Sequence, residues 1–242
     1  METNIVTGIK DHPVVSHEEW LARRTAFLAR EKEFTRQRDE INRQRRQLPW
    51  ERVDKQYVFD GPGGKVTLAE LFDNKSQLIV YHFMFNPEWD EGCPNCSFWA
   101  DHYDSLRYHL KQRDTAFVAI SRAPWAKIEP YKKRMGWGFK WVSSFNNDFN
   151  FDFQASFTPE QLRSGTAFFN YSTEQAGGED REGASVFYKD ERGTIFHTYS
   201  TYARGIDLLN TTYNFLDLTP KGRNETPGAT QDWVEYHDRY PD

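Results

Sequence analysis

Cysteine is nearly absent from this chain: its 242 residues hold two, Cys93 and Cys96. That count excludes a disulfide framework, which needs four or more. No run of eighteen apolar residues occurs, so no membrane-spanning helix is expected. The opening stretch, "METNIVTGIKDHPVV", lacks an apolar core flanked by basic residues. No secretory signal is expected from it, and a cytoplasmic location is. A large excess of one charge is missing too, since 31 Lys and Arg face 36 Asp and Glu for a net charge of −5. What remains is an aromatic-rich, foldable composition, 38% hydrophobic, 28% charged and 16% aromatic. No disordered class has that mixture. The length suits one large domain, or an ordinary domain with an extension.

The charge is unevenly spread. Between Trp20 and Lys55 there are eleven Arg or Lys against six Asp or Glu. A basic arm invites a nucleic-acid reading. The acids Glu31, Glu33, Asp39 and Glu40 interleave with the bases, however, and no aromatic platform follows. A solvated helix face is the better reading, and no nucleic-acid partner is expected. Residues 16 to 48 read as one helix. Ser16 followed by Glu19 has the capping-box spacing, and neither Gly nor Pro intervenes before Pro49. Trp20, Phe27, Phe34, Ile41 and Leu48 recur every seven residues. That narrow stripe predicts a helix packed on a body or on a second copy, hence a homodimer through this helix.

From Lys55 the pattern changes to strands alternating with helices. "QYVFDGPGGKVTLAELF" gives a short strand, a Gly-rich turn and a helical turn, and Leu78–Phe85 is a long apolar strand. Residues 94–110 read as one helix, 115–121 as a second buried strand and 124–135 as a helix opened by Pro124. Two apolar strands around a helix predict a parallel βαβ unit. "ASVFYKD" and "GTIFHTYS" flank "ERG" as an antiparallel hairpin, and Ile206–Leu216 is a last helix. This order, with Cys-x-x-Cys opening the helix after the first long strand, predicts an α/β thioredoxin-like three-layer sandwich. Its central sheet is mixed, and a long N-terminal helix precedes it. The domains expected are an N-terminal helical arm (1–54), the thioredoxin-like domain (55–218) with an irregular insertion at about 140–183, and a tail (219–242).

Cys93 precedes Pro94, a residue favoured at the first helical position. It therefore sits at a helix mouth, where unpaired N–H groups stabilise a thiolate. Cys96 lies three residues on and points inward. One activated and one sheltered sulfur suit a dithiol exchanger, the first attacking and the second resolving. Glu88, Asp90 and Glu91 crowd the approach and oppose a thiolate. Arg122, at the carboxyl end of the neighbouring strand, is the candidate that offsets them; the alternative is a surface arginine. Ser121 shares that edge. His82, inside "LIVYHFMF", is either a proton shuttle beneath the pair or a core histidine held for packing. A zinc site would need His102 or His109 beside the cysteines. No second ligand cluster stands nearby, and His102 points away around the helix, so neither metal nor cofactor is expected.

The segments "LIVYHFMF", "GCPNCSFWAD", "AISRAPWAKIEPYKKRMGWGFKWVSS" and "DFNFDF" closely resemble a bacterial thioredoxin-like family, domain-of-unknown-function family 899. Its members are often labelled predicted dithiol-disulfide oxidoreductases or isomerases. The resemblance spans nearly the whole chain, from "VVSHEEW" to "DRY", and implies an oxidoreductase acting on a thiol or disulfide. Two thioredoxin features differ. Gly92 stands where thioredoxins carry a Trp, and Trp89 is the nearest aromatic ahead of the pair. Where thioredoxins carry a cis-proline facing the dithiol, Gly183, Ala184 and Ser185 stand here. Trp89, Ser121, Ala184 and Ser185 are the expected substrate-side residues. Two alternatives remain. One is a thiol peroxidase of peroxiredoxin type, although Asp90 occupies the place of the Thr or Ser that such enzymes put three residues before the reactive cysteine. The other is a non-enzymatic redox sensor or scaffold.

Overall fold

The computed structural model describes residues 12–173 and 177–241. They fall into two compact units. One holds the residues up to Pro49 together with Phe215–Asn224; the other holds Trp50–Asn214 and Glu225–Asp242.

The first unit is dominated by helix α1, His17–Arg45. Ser16 caps it by accepting the backbone N–H of Glu19 at 3.2 Å. Only that half of the expected capping box forms, because the Glu19 carboxylate accepts from Arg23 one turn on. The interleaved charges pair along the helix, as in Arg36–Glu33 and Arg43–Glu40, both at 2.6 Å. Such solvent-exposed pairs are screened by water and add little to stability. No residue of α1 is buried, and Trp20, Phe27, Phe34 and Ile41 all stand exposed.

The second unit is built on an eight-stranded sheet. Its strands are β1 (Glu51–Arg52), β2 (Val58–Gly61), β3 (Gly64–Thr67), β4 (Gln77–His82), β5 (Thr115–Ser121), β6 (Lys140–Ser143), β7 (Gly183–Lys189) and β8 (Ile195–Tyr202). They lie in the order β1-β8-β7-β4-β5-β6-β2-β3. The βαβ unit forms as expected: β4 pairs with β5 and β5 with β6, both in parallel. The hairpin β7–β8 is antiparallel and docks β7 against β4. A central strand with a parallel neighbour on one side and an antiparallel hairpin on the other is the thioredoxin-like arrangement.

Helices cover both faces. Leu78, Val80, Val118, Ile120, Val142 and Phe187 build one core with α2 (Leu68–Leu71) and α6 (Phe149–Asp152). Alternation along the same strands turns Tyr81, Ser121 and Trp141 to the other face. There α3 (Pro94–Ala100), α4 (Leu106–Leu110) and α5 (Trp125–Arg134) pack on an aromatic core. The remaining helices are α7 (Pro159–Ser164) and α8 (Thr211–Leu216).

Three elements differ from the sequence reading. The single helix expected over 94–110 breaks after Ala100. In the break Asp101 accepts from Trp137 Nε1 at 2.8 Å and Asp104 from the Gly138 N–H at 2.6 Å. The region expected to be irregular opens with strand β6, whose four residues are too few for a readable alternation. The helix expected over Ile206–Leu216 is a 3-10 turn, Ala203–Leu209, followed by the short α8. No helix among the described residues is long and apolar enough to cross a membrane.

Candidate functional site

Beyond β4 the chain stays buried at Phe83, Phe85 and Asn86, loops outward at residues 87–91 and returns at Gly92. Position 92 admits no side chain: a Cβ would lie 2.7 Å from Phe83 Cε1 and 2.8 Å from Tyr131 Cε1. Cys93 then caps α3, its N–H bonded to Met84 O at 3.0 Å and its carbonyl accepting from the Ser97 N–H and hydroxyl. The Met84 N–H in turn donates to Cys96 Sγ at 3.3 Å. Residue 84 thus clamps both cysteines through its backbone.

Both thiols are free and both are buried, Cys93 at 9% exposure and Cys96 at 1%. They are electrostatically unlike. The Cys93 thiol is pulled below its ordinary value, chiefly because Cys96 S–H donates to it, with help from the Cys96 and Asn95 backbone N–H groups. Burial pushes Cys96 well above its ordinary value, and the adjoining Cys93 and Glu182 add to this. The pair is biased so that Cys93 ionises before Cys96.

Tyr81 and Tyr103 close the floor beneath Cys96, their rings edge to face at 5.0 Å. Both phenols are buried; Tyr103 hydrogen-bonds to nothing, while Tyr81 is set against Cys96. Burial, with the neighbouring Cys96, holds both well above the usual phenol range, so they remain protonated. Neither was signalled by sequence, because a Tyr in an apolar strand reads as core.

Of the residues singled out from sequence, Ala184 lies on the cysteine face, directly across from Tyr81. His82 does not. Period-two alternation turns it to the opposite face, where it stacks on Phe149 and its Nε2 lies 2.8 Å from Ser185 Oγ. Burial lowers its pKa to about 3, so the ring is neutral. Ser185 goes with it and continues to Ser200 at 2.7 Å and on to His197. Ser121 is fully buried, donating to Phe83 O and accepting from Trp141 Nε1. Arg122 is engaged elsewhere: its Nε bonds Asp180 Oδ1 at 2.7 Å, and its guanidinium lies over Phe151. Asp180 also accepts from Asn86 and Ser156, so this cluster fixes the loop that carries Trp89. Trp89 itself is 40% exposed.

The cations that meet the acidic approach loop are others. Arg134 bonds Glu91 at 2.5 Å and Asp238 at 2.7 Å, and Arg239 also bonds Glu91. Between them the tail lays Tyr236 over the site, its Oη donating to Gly92 O at 2.7 Å. Arg134 and Arg239 sit over its ring. Some 140 residues separate tail from loop, and no local signal announces that contact. His102 lies beside Thr212 Oγ1 rather than the cysteines. Among the described residues no group of three or more His, Cys, Asp or Glu gathers where a metal ion would sit.

Several solved structures are similar in outline. Peroxidoxin BcpB from Mycobacterium tuberculosis shares 12% identity at a TM-score of 0.45, over 68% of this chain and 95% of that one. Peroxiredoxin Q from Xanthomonas campestris shares 10% at 0.45, over 64% and 86%. The mitochondrial 2-Cys peroxiredoxin from Plasmodium falciparum shares 11% at 0.42, over 74% and 98%. At these values the fold rests on the strand topology itself, and no activity transfers. No curated protein matches the sequence. The model of the family described as "Bacterial protein of unknown function (DUF899)" matches residues 9–240, and this chain belongs to that family.

Proposed function

We propose that the protein is a thiol–disulfide oxidoreductase in which Cys93 is the nucleophile and Cys96 the resolving thiol. The observation that carries this reading is the opposite bias of the two sulfurs, one drawn toward thiolate by the S–H of the other. In the reductive direction the Cys93 thiolate attacks one sulfur of a disulfide. A mixed disulfide forms, and the first product leaves as a thiolate that takes a proton from solvent. Cys96 then gives up its proton and attacks Cys93 Sγ, and the second product thiolate departs. The pair ends as a disulfide, having supplied two electrons.

The test is equilibration in glutathione buffers with labelling of free thiols. An intramolecular disulfide with a midpoint between about −120 and −270 mV, the span of known dithiol exchangers, is the expected result. Cys93→Ser removes exchange, while Cys96→Ser accumulates the mixed disulfide. Absence of any Cys93–Cys96 disulfide at all potentials defeats the reading.

A thiol peroxidase is the second reading, favoured by the depth of the pair, since a buried sulfur suits a substrate as small as hydrogen peroxide. There Cys93 would become a sulfenic acid with release of hydroxide, and Cys96 would condense with it, releasing water. Peroxide consumption no faster than by free thiol eliminates this route. The same proposal includes a homodimer through the exposed apolar stripe of α1 in a reducing, cytoplasmic setting. Sedimentation of the wild type against Phe27→Glu checks the dimer.

A further inference from the structure

The depth of the cysteines restricts what reaches them. Tyr236 bonds the carbonyl just ahead of Cys93, and the tail around it is pinned by Arg134 and Arg239. Cys96, by contrast, lines a cavity of about 270 Å³. Tyr81 lines it too, its fully buried phenol set against Cys96. The cavity also carries charges of both signs, Arg181 and Arg204 against Glu182 and Asp207. Arg204 and Asp207 pair with each other at 3.3 Å. Arg181 lies on the wall with its guanidinium over Phe169 and a buried Nε that bonds to nothing. Glu182 is close enough for its charge to act on both sulfurs and on Tyr81.

We infer that this cavity binds a small zwitterionic thiol, an amino-acid-derived molecule carrying both a carboxylate and an ammonium group, which reduces the Cys93–Cys96 disulfide by entering at Cys96. The inference rests on the dithiol reading above and adds to it the class of electron donor and its point of entry. A folded protein's disulfide does not fit a 270 Å³ space. Arg204 and Asp207 already satisfy each other, but an uncharged thiol would leave Arg181 and Glu182 without an ionic partner, whereas a zwitterion meets both signs. The incoming thiolate attacks Cys96 Sγ, the S–S bond breaks, and Cys93 departs as the thiolate its surroundings favour; the sulfur of lower pKa is the better leaving group. A second thiolate attacks the donor's sulfur in the mixed disulfide. The donor leaves as its symmetrical disulfide and Cys96 is released. Two donor thiols have then lost two protons and two electrons. One proton goes to Cys96, the other to solvent, and Cys93 remains a thiolate.

The experiment follows reduction of the oxidised full-length protein by rapid mixing, acid quench and mass measurement. The probes are cysteine, glutathione and 2-mercaptoethanol, compared at equal thiolate concentration. The expected result is saturation with cysteine or glutathione and none with 2-mercaptoethanol. Below saturation the zwitterions should lead by about tenfold, the size of one charge-assisted hydrogen bond. In Glu182→Gln and in Arg181→Met the ratio of zwitterionic to neutral rate should fall toward one, and S-methylglutathione should slow the zwitterions in the wild type. Equal, linear rates for all three thiols in wild type and variants would overturn the inference while leaving the dithiol reading intact. Failure of the Cys93–Cys96 disulfide to form at all would overturn both.

Discussion

Tyr81 and His82 are consecutive, polar and fully buried, yet they serve different regions of the molecule. Tyr81 turns to the face carrying α3 and ends with its phenol against Cys96. His82 turns to the face carrying α6 and feeds a chain of hydrogen bonds, Ser185 to Ser200 to His197. Each face keeps a buried polar atom outside the hydrogen-bond network, Tyr103 Oη on one and His82 Nδ1 on the other. Only the histidine face links hydroxyl to imidazole in a continuous chain. One residue of register decides whether a buried polar group meets the sulfurs or the scaffold.

That contrast breaks first at low pH. Burial holds His82 neutral in the folded protein, with its pKa lowered from 6.5 to about 3. The unfolded chain therefore takes up the proton first. The full contribution is present above pH 6.5 and falls as the pH drops toward 3, by about 1.4 kcal/mol per unit. His197, also lowered by burial, acts in the same direction. Denaturant titrations between pH 7 and 4 should show this slope, and His82→Gln should flatten it; an unchanged slope in the variant would remove His82 as its source.

Next in size is Phe149→Ala. Phe149 is fully buried and packs against Tyr57, Phe59, His82, Phe153 and Phe187. Its loss should cost about 3–5 kcal/mol. Well below the melting transition, exchange kinetics should stay those of the wild type, because the cysteines lie on the far side of the sheet. A loss of exchange in a folded variant would show the two faces to be coupled.

Tyr81→Phe sharpens the comparison from the other side. The hydroxyl's one neighbour is the weakly bonding Cys96 sulfur, so stability should change by less than about 1 kcal/mol. The mixed disulfide should persist longer, by about tenfold if the phenol shifts Cys96 by one pKa unit. Quench-flow of the resolving step measures this, and an unchanged lifetime would make Tyr81 a packing residue. The smallest effect belongs to the exposed N-terminal end of α7. Thr158 forms a capping box with Gln161 on α7, and Thr158→Ala should cost about 1 kcal/mol by calorimetry, leaving exchange untouched.

Features written in contiguous residues were legible in the sequence. The apolar runs of β4 and β5, Pro94 behind Cys93, and Ser16 ahead of α1 each carry a local physical cause. Register was not legible in a strand as uniformly apolar as "LIVYHF", where alternation leaves no polar-apolar mark to tell Tyr81 from His82. The partners of the acidic loop were not legible either. Arg122 has the expected position at a strand end but is taken by Asp180, whereas Arg134 and Arg239 reach Glu91 from a helix and from the tail. Nothing in the chain's order favours one arginine over another, since the choice is made only when distant segments meet.

Trp99, one of eight tryptophans, lines the same cavity as Cys96, its indole N–H held by Ile206 O at 3.1 Å. Disulfides quench indole emission on contact, and a ring this fixed and this dry should fluoresce differently in the two oxidation states. The molecule therefore carries an optical reporter of its own redox state, readable without any label.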